Sequence, residues 1–84
     1  MTKKILMYST TWCSDCHRTE RILNEQSIVF EKVDIETVDG AAEIVMNLAN
    51  GKRVVPTLVV EHENGEKKVL INPRPQQLLD ALSA

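Results

Sequence analysis

The sequence predicts an α/β fold in which a four-stranded mixed sheet is flanked by three helices in the order β-α-β-α-β-β-α. Three observations predict it. Apolar residues recur at helical spacing over 16–26, again over 38–49, and again near the C-terminus. Short β-branched runs lie between these stretches, and Asn64-Gly65 divides the last of them into two arms of a hairpin. With 84 residues and no break in composition, the chain reads as one domain, 1–84, with one modest core.

Ile5-Leu6-Met7-Tyr8, after two lysines and before Ser-Thr-Thr, reads as a buried strand. From Ser14 the period changes: Cys16, Thr19, Ile22 and Leu23 share a stripe while Asp15, Arg18, Glu20, Arg21 and Glu25 fall outside it. This gives an amphipathic helix to about Gln26. Residues 28–35 are rich in Val and Ile and form a second strand, parallel to the first through a right-handed helical crossover. Val38, Ala41, Ala42, Val45, Leu48 and Ala49 make a second helix, closed by Asn50-Gly51 in a left-handed cap. In the stretch Val54 to Val60, Pro56 cannot sit in the middle of a paired strand, so the third strand begins near Thr57. Antiparallel arms on either side of Asn64-Gly65 follow. Asn72 then caps a last helix with Pro73 at its first position and Leu78, Leu79 and Leu82 facing inward.

Charge narrows the function. A formal charge of -2 with an acidic isoelectric point argues against nucleic acid or an anionic membrane as the main partner. The apolar run from Ile5 to Ser9 is too short for a membrane span or the core of an export signal, so a reducing, cytoplasmic setting and a monomer are expected. Two cysteines in such a setting are a poor structural staple. They do suit redox chemistry: Cys13 and Cys16 are separated by two residues at the opening of a helix, close enough to join, and the helix N-terminus favours thiolate at Cys13. Cys13 should be the more exposed sulfur and Cys16, one turn in, the more buried.

Trp12-Cys13-Ser14-Asp15-Cys16 after the first strand, Val55-Pro56-Thr57 before the third, and Asn72-Pro73 before the last helix resemble the glutaredoxin branch of the thioredoxin-like fold. The likeness spans nearly the whole chain and is greatest toward mycoredoxins and short glutaredoxin-like redoxins. It implies a thiol–disulfide oxidoreductase with no bound cofactor, acting on disulfide-containing or S-thiolated proteins. In that role Cys13 is the nucleophile, Cys16 resolves, and Thr11, Trp12, Val55, Pro56 and Asn72 contact substrate. The resemblance also implies a cis bond before Pro56, which residue type alone would not suggest, since X-Pro bonds are cis only about 5–6% of the time. Glutathione-using members typically carry Pro-Tyr between the cysteines and Gly-Gly with an acidic residue near the last helix. Here Ser14-Asp15 and Ile71-Asn72-Pro73-Arg74 stand instead. Mycothiol, bacillithiol, glutathione or a flavoenzyme reductase all remain open as the electron source.

Asp15 is expected to tune the site, because its charge opposes a thiolate at Cys13 and so favours a more reducing pair. His17 and Arg18 either offset that charge or decorate a solvated face, and Trp12 either shields the site and offers a flat contact surface or packs partly buried. Thr10 and Thr11 either hydrogen-bond near the thiol or end the strand. Lys52 and Arg53 either bind a carboxylate or form a solvated pair, His62 lies on the surface, and Met7 and Met46 fill core gaps. Cys13 to His17 also satisfies the Cys-x-x-Cys-His pattern of haem attachment, and as a metal-binding module Cys13, Cys16 and His17 offer at most three ligands where structural zinc takes four, so a zinc or iron–sulfur site would need a dimer or an external thiol.

Overall fold

The computed structural model describes residues 4–83. The elements are β1 (Lys4–Ser9), α1 (Ser14–Glu25), β2 (Glu31–Asp34), α2 (Ala41–Leu48), β3 (Thr57–Glu61), β4 (Lys67–Ile71) and α3 (Pro75–Ser83). They build one sheet of order β2-β1-β3-β4, with β2 parallel to β1 and both other pairings antiparallel. The expected order and mixed sheet are what the chain adopts.

Alternation along the central strands divides the interior in two. Ile5 and Met7 of β1, with Leu58 and Val60 of β3, join Leu23 of α1 and Leu78 of α3 in one fully buried cluster. The intervening positions, Leu6, Tyr8 and Val59, turn to the opposite face and pack with Ile35, Ala41 and Val45 around α2. Two helices thus cover one face and one short helix the other. This double coverage is why β1 and β3 are apolar on both sides, as buried strands are.

Three boundaries differ from the sequence expectation. The second strand is Glu31–Asp34 rather than 28–35, its pairing with β1 starting at Leu6 opposite Glu31. Upstream, Ile28 N–H donates to the Leu23 carbonyl at the end of α1 (2.9 Å), and Val29 is exposed. The second helix starts at Ala41 rather than Val38, since Gly40 precedes it with φ +80 and Val38 N–H is spent on the Asp34 carbonyl. Its C-terminal side closes as expected, with Asn50 and Gly51 both at positive φ.

The last helix starts at Pro75, so Asn72 is not its cap and Pro73 not its first residue. Leu78 N–H bonds the Arg74 carbonyl, which makes Arg74 the cap, and Arg74 N–H donates to Gln77 Oε1 at 2.9 Å. That is the reciprocal half of a capping box, with Pro75 in the first-turn position where a missing N–H does no harm. Asn72 instead takes φ 43 and donates its N–H to the Pro56 carbonyl (2.8 Å). The hairpin falls where Asn64-Gly65 placed it, but only Gly65 takes positive φ. Gly65 N–H bonds the His62 carbonyl and His62 N–H the Glu66 carbonyl, a three-residue loop with a glycine bulge.

Candidate functional site

The site forms where β1 ends, α1 begins and the chain enters β3. Cys13 is the cap of α1: its backbone is extended (φ -86, ψ 112), and its sulfur accepts the Cys16 N–H at 3.0 Å. The Cys13 carbonyl accepts the next bond, from His17 N–H. A sulfur thus occupies the place where a serine or aspartate oxygen normally satisfies the free N–H groups of a helix start, at the positive end of the helix dipole.

Across from it runs the approach to β3. The Val55–Pro56 bond is cis, as the resemblance implies, and the Val55 carbonyl lies 3.9 Å from Cys13 Sγ. Pro56 and Thr57 are buried, Thr57 Oγ1 donates to the Val54 carbonyl (2.8 Å), and Asn72 N–H holds the Pro56 carbonyl from the other side. Cys13, Val55, Pro56 and Asn72, far apart in the chain, are therefore brought together.

The two sulfurs differ in environment. Cys13 is 7% exposed and Cys16 2%, and both are free thiols. Burial, above all, pushes the Cys16 thiol up to about 12. A hydrogen bond with Cys13 adds to the rise, the Thr10 backbone opposes it, and the charges of Cys13 and then Asp15 contribute least.

Around the thiols the structure alters several expectations. Arg18 takes the charge-offsetting place: its Nη2 donates to Asp15 Oδ1 at 3.0 Å, an exposed pair. The signal was in the sequence, because an acid followed three residues later by a base lies on one helix face. His17 is likewise engaged, its Nε2–H donating to the Thr11 carbonyl at 2.9 Å. Trp12 is 70% exposed, so it does not pack into the core; its Nε1–H donates to Glu36 Oε1 (3.0 Å), in the turn after β2. Glu36 carries no motif that would have marked it. Thr11 is exposed beside Trp12, Lys52 and Arg53 are exposed in the loop before Val54, and His62 is half-buried. Met7 is buried in the core. Thr10 is buried, and its Oγ1 meets no partner among the described residues.

No group of three or more His, Cys, Asp or Glu side chains is placed to hold a metal among the described residues. Nor, among them, is any helix long and apolar enough to cross a membrane.

Comparison with known proteins agrees with this architecture. The family profile described as Glutaredoxin matches residues 5–64. A Mycobacterium tuberculosis protein, Rv3198A, provisionally named a glutaredoxin, is 38% identical over 58 residues, covering 69% of each chain. Among solved structures, the glutaredoxin-like NrdH-redoxin of Escherichia coli superposes with a TM-score of 0.72 at 25% identity, covering 92% of both chains. A glutaredoxin of Archaeoglobus fulgidus gives 0.73 at 21% identity, over 95% of this chain and 86% of its own. Arabidopsis thaliana thioredoxin O2 gives 0.72 at 23%, over 96% and 72%. A cysteine pair capping a helix beside a cis-proline loop, on this sheet and with these relatives, establishes that the chain belongs to the glutaredoxin family and is a thiol–disulfide oxidoreductase.

Proposed function

We propose that the protein reduces protein disulfides, or mixed disulfides between proteins and a low-molecular-weight thiol, in the manner of a mycoredoxin. Cys13 attacks a substrate sulfur and becomes joined to it. Cys16 then attacks Cys13 Sγ, forms the Cys13–Cys16 disulfide and releases the reduced substrate. The observation that carries this reading is the Cys16 N–H directed at Cys13 Sγ at the start of α1, which steadies negative charge on the sulfur that must attack. Burial keeps Cys16 protonated until it is needed.

The substrate's backbone lies along Val55, with Pro56 and Asn72 holding that segment in place and Thr11 and the open face of Trp12 flanking the sulfur. Asp15 tunes the pair through its charge, moderated by Arg18. The protein acts as a monomer and a single domain, in a reducing cytoplasm, without a bound cofactor.

Its electrons come from mycothiol, bacillithiol or glutathione in this reading, and the mycobacterial relative supports it. A second reading, direct reduction by a flavoenzyme as for a thioredoxin, is favoured by the likeness to NrdH-redoxin, described as having a thioredoxin-like activity profile. A Cys16→Ser variant separates them. Turnover of a model mixed disulfide retained with a small thiol, which then regenerates Cys13 in place of Cys16, supports the small thiol as electron source. Turnover that only the flavoenzyme sustains, and only in the parent, overturns it.

A further inference from the structure

Between the end of β1 at Ser9 and the start of α1 at Ser14, the chain crosses the site as a strap, Thr10-Thr11-Trp12-Cys13, that belongs to no strand or helix. Such a strap has no ladder to satisfy its backbone and must find its hydrogen bonds elsewhere. Among the described residues, the bonds to its main-chain carbonyls come from one residue, His17. The His17 backbone N–H donates to the Cys13 carbonyl at 3.2 Å, and the ring Nε2–H donates to the Thr11 carbonyl at 2.9 Å. Position 17 stands one turn above Cys13 on the same side of α1, which lets the ring reach back over the strap.

The two carbonyls stand on either side of Trp12, so His17 closes a clasp over the residue that precedes Cys13. The indole is tied separately, through Nε1–H to Glu36 Oε1. What the clasp controls is the way the strap enters the helix. Cys13 Sγ receives the Cys16 N–H at 3.0 Å with the Cys13 backbone extended, φ -86 and ψ 112. On the helix side that geometry is fixed by α1 itself. On the other side the Thr11 main chain is held by the imidazole. Because the partner is a carbonyl, Nε2 must carry a hydrogen, and the imidazolium carries one there as well, so protonation of the ring leaves the clasp closed. The bond is exposed and water competes with it, which keeps its contribution modest.

We propose that His17 is a positioning residue for the nucleophile: through the Thr11 carbonyl it holds the strap, and so holds Cys13 Sγ on the Cys16 N–H in the reduced protein. The proposal rests on Cys13 acting as the nucleophile. In this role the imidazole touches neither the sulfur nor the substrate and takes no proton from either. It acts by restricting where the sulfur can go, so that negative charge forming on Cys13 finds the helix N–H already in place. Neither bond of the clasp uses the sulfur, so both persist when Cys13 is joined to a substrate, and they keep it beside Cys16 for the second attack.

The test is made in a Cys16→Ser background, where Cys13 is the lone cysteine and the N–H at position 16 is kept. Ultraviolet absorbance of the thiolate, followed across pH, gives the ratio of thiolate to thiol. Adding His17→Ala should lower that ratio about two- to tenfold wherever the background protein is still titrating, the span that one hydrogen bond is worth. His17→Gln, which offers an uncharged N–H at similar reach, should restore it, and helix content by circular dichroism should be the same in all three. His17→Leu replaces the alanine variant if that one does not fold. An unchanged ratio overturns the clasp. So does a lowered ratio that glutamine fails to restore, because the charge or bulk of the ring would then be what acts on the sulfur. A ratio that falls only together with helix content overturns it too, since fraying of α1 would explain it. If the background protein, with His17 present, fails to react with dithiodipyridine at any pH, what falls instead is the assignment of Cys13 as nucleophile.

Discussion

The asymmetry between the thiols can be tested by removing one sulfur at a time. In Cys13→Ser only Cys16 remains, and serine preserves an acceptor at the helix cap. Cys16 rises from 9.0 to about 12, so near neutral pH it has about a thousandfold less thiolate than an unperturbed cysteine. A more basic thiolate is also more nucleophilic, and a Brønsted slope of about 0.4–0.5 over that rise returns about 20-fold. The net expectation is a rate at most about 50-fold below that of the same chain unfolded, before any steric hindrance; loss of the Cys13 contribution makes the deficit smaller, while burial, the leading cause, survives the substitution. Reaction with dithiodipyridine, followed by absorbance, measures the folded variant against the same variant in urea. Cys16→Ser, with Cys13 alone, should react faster than Cys13→Ser under identical conditions. A folded Cys13→Ser protein that reacts as fast as its unfolded form would refute the argument from burial.

Three further outcomes follow from the same structure. Because the folded state holds the Cys16 proton more tightly than the unfolded chain, its contribution to stability is complete below pH 9 and is lost as pH climbs from there toward 12. At pH 10 the loss is on the order of 1 kcal/mol, read as a parent-minus-Cys16→Ala difference in urea unfolding under reductant, and a difference unchanged from pH 8 would contradict it. Leu23→Ala, at a fully buried position between α1 and the sheet, should destabilise by about 2–5 kcal/mol in the same assay, and a loss within error of zero would show that the site collapses freely. Glu36→Ala releases the indole N–H of the chain's one tryptophan, so Trp12 emission anisotropy should fall; an unchanged value would mean that Glu36 does not hold the ring.

The order of elements was legible because it rests on local regularities: a change of period at Ser14, a proline that forbids pairing before Thr57, and a glycine in the hairpin. Ends were less legible where the decision is tertiary. Nothing in Ile28-Val29-Phe30 says that pairing with β1 starts only at Glu31, or that the Ile28 N–H is taken by the Leu23 carbonyl of α1. Two prolines near the last helix allowed two starts, and the choice of Pro75 depends on Asn72 being held by the Pro56 carbonyl from another part of the chain. At the candidate site, the cysteine pair and Val55-Pro56 announced themselves by motif. Glu36, Lys32 and Asp34 did not, since their places beside Trp12 or behind Cys16 come from the β2 register rather than from any spacing along the chain.

That a sulfur serves as the cap of α1 ties chemistry to architecture in a single atom. Any electrophile that captures Cys13 also edits the hydrogen-bonding start of a helix, so every turnover briefly remodels the scaffold that presents the reagent. One practical result concerns mutagenesis: serine supplies a good oxygen cap and alanine none, so the two usual replacements of Cys13 are different proteins. A knockout made with alanine confounds lost reactivity with a frayed helix, whereas serine isolates the former.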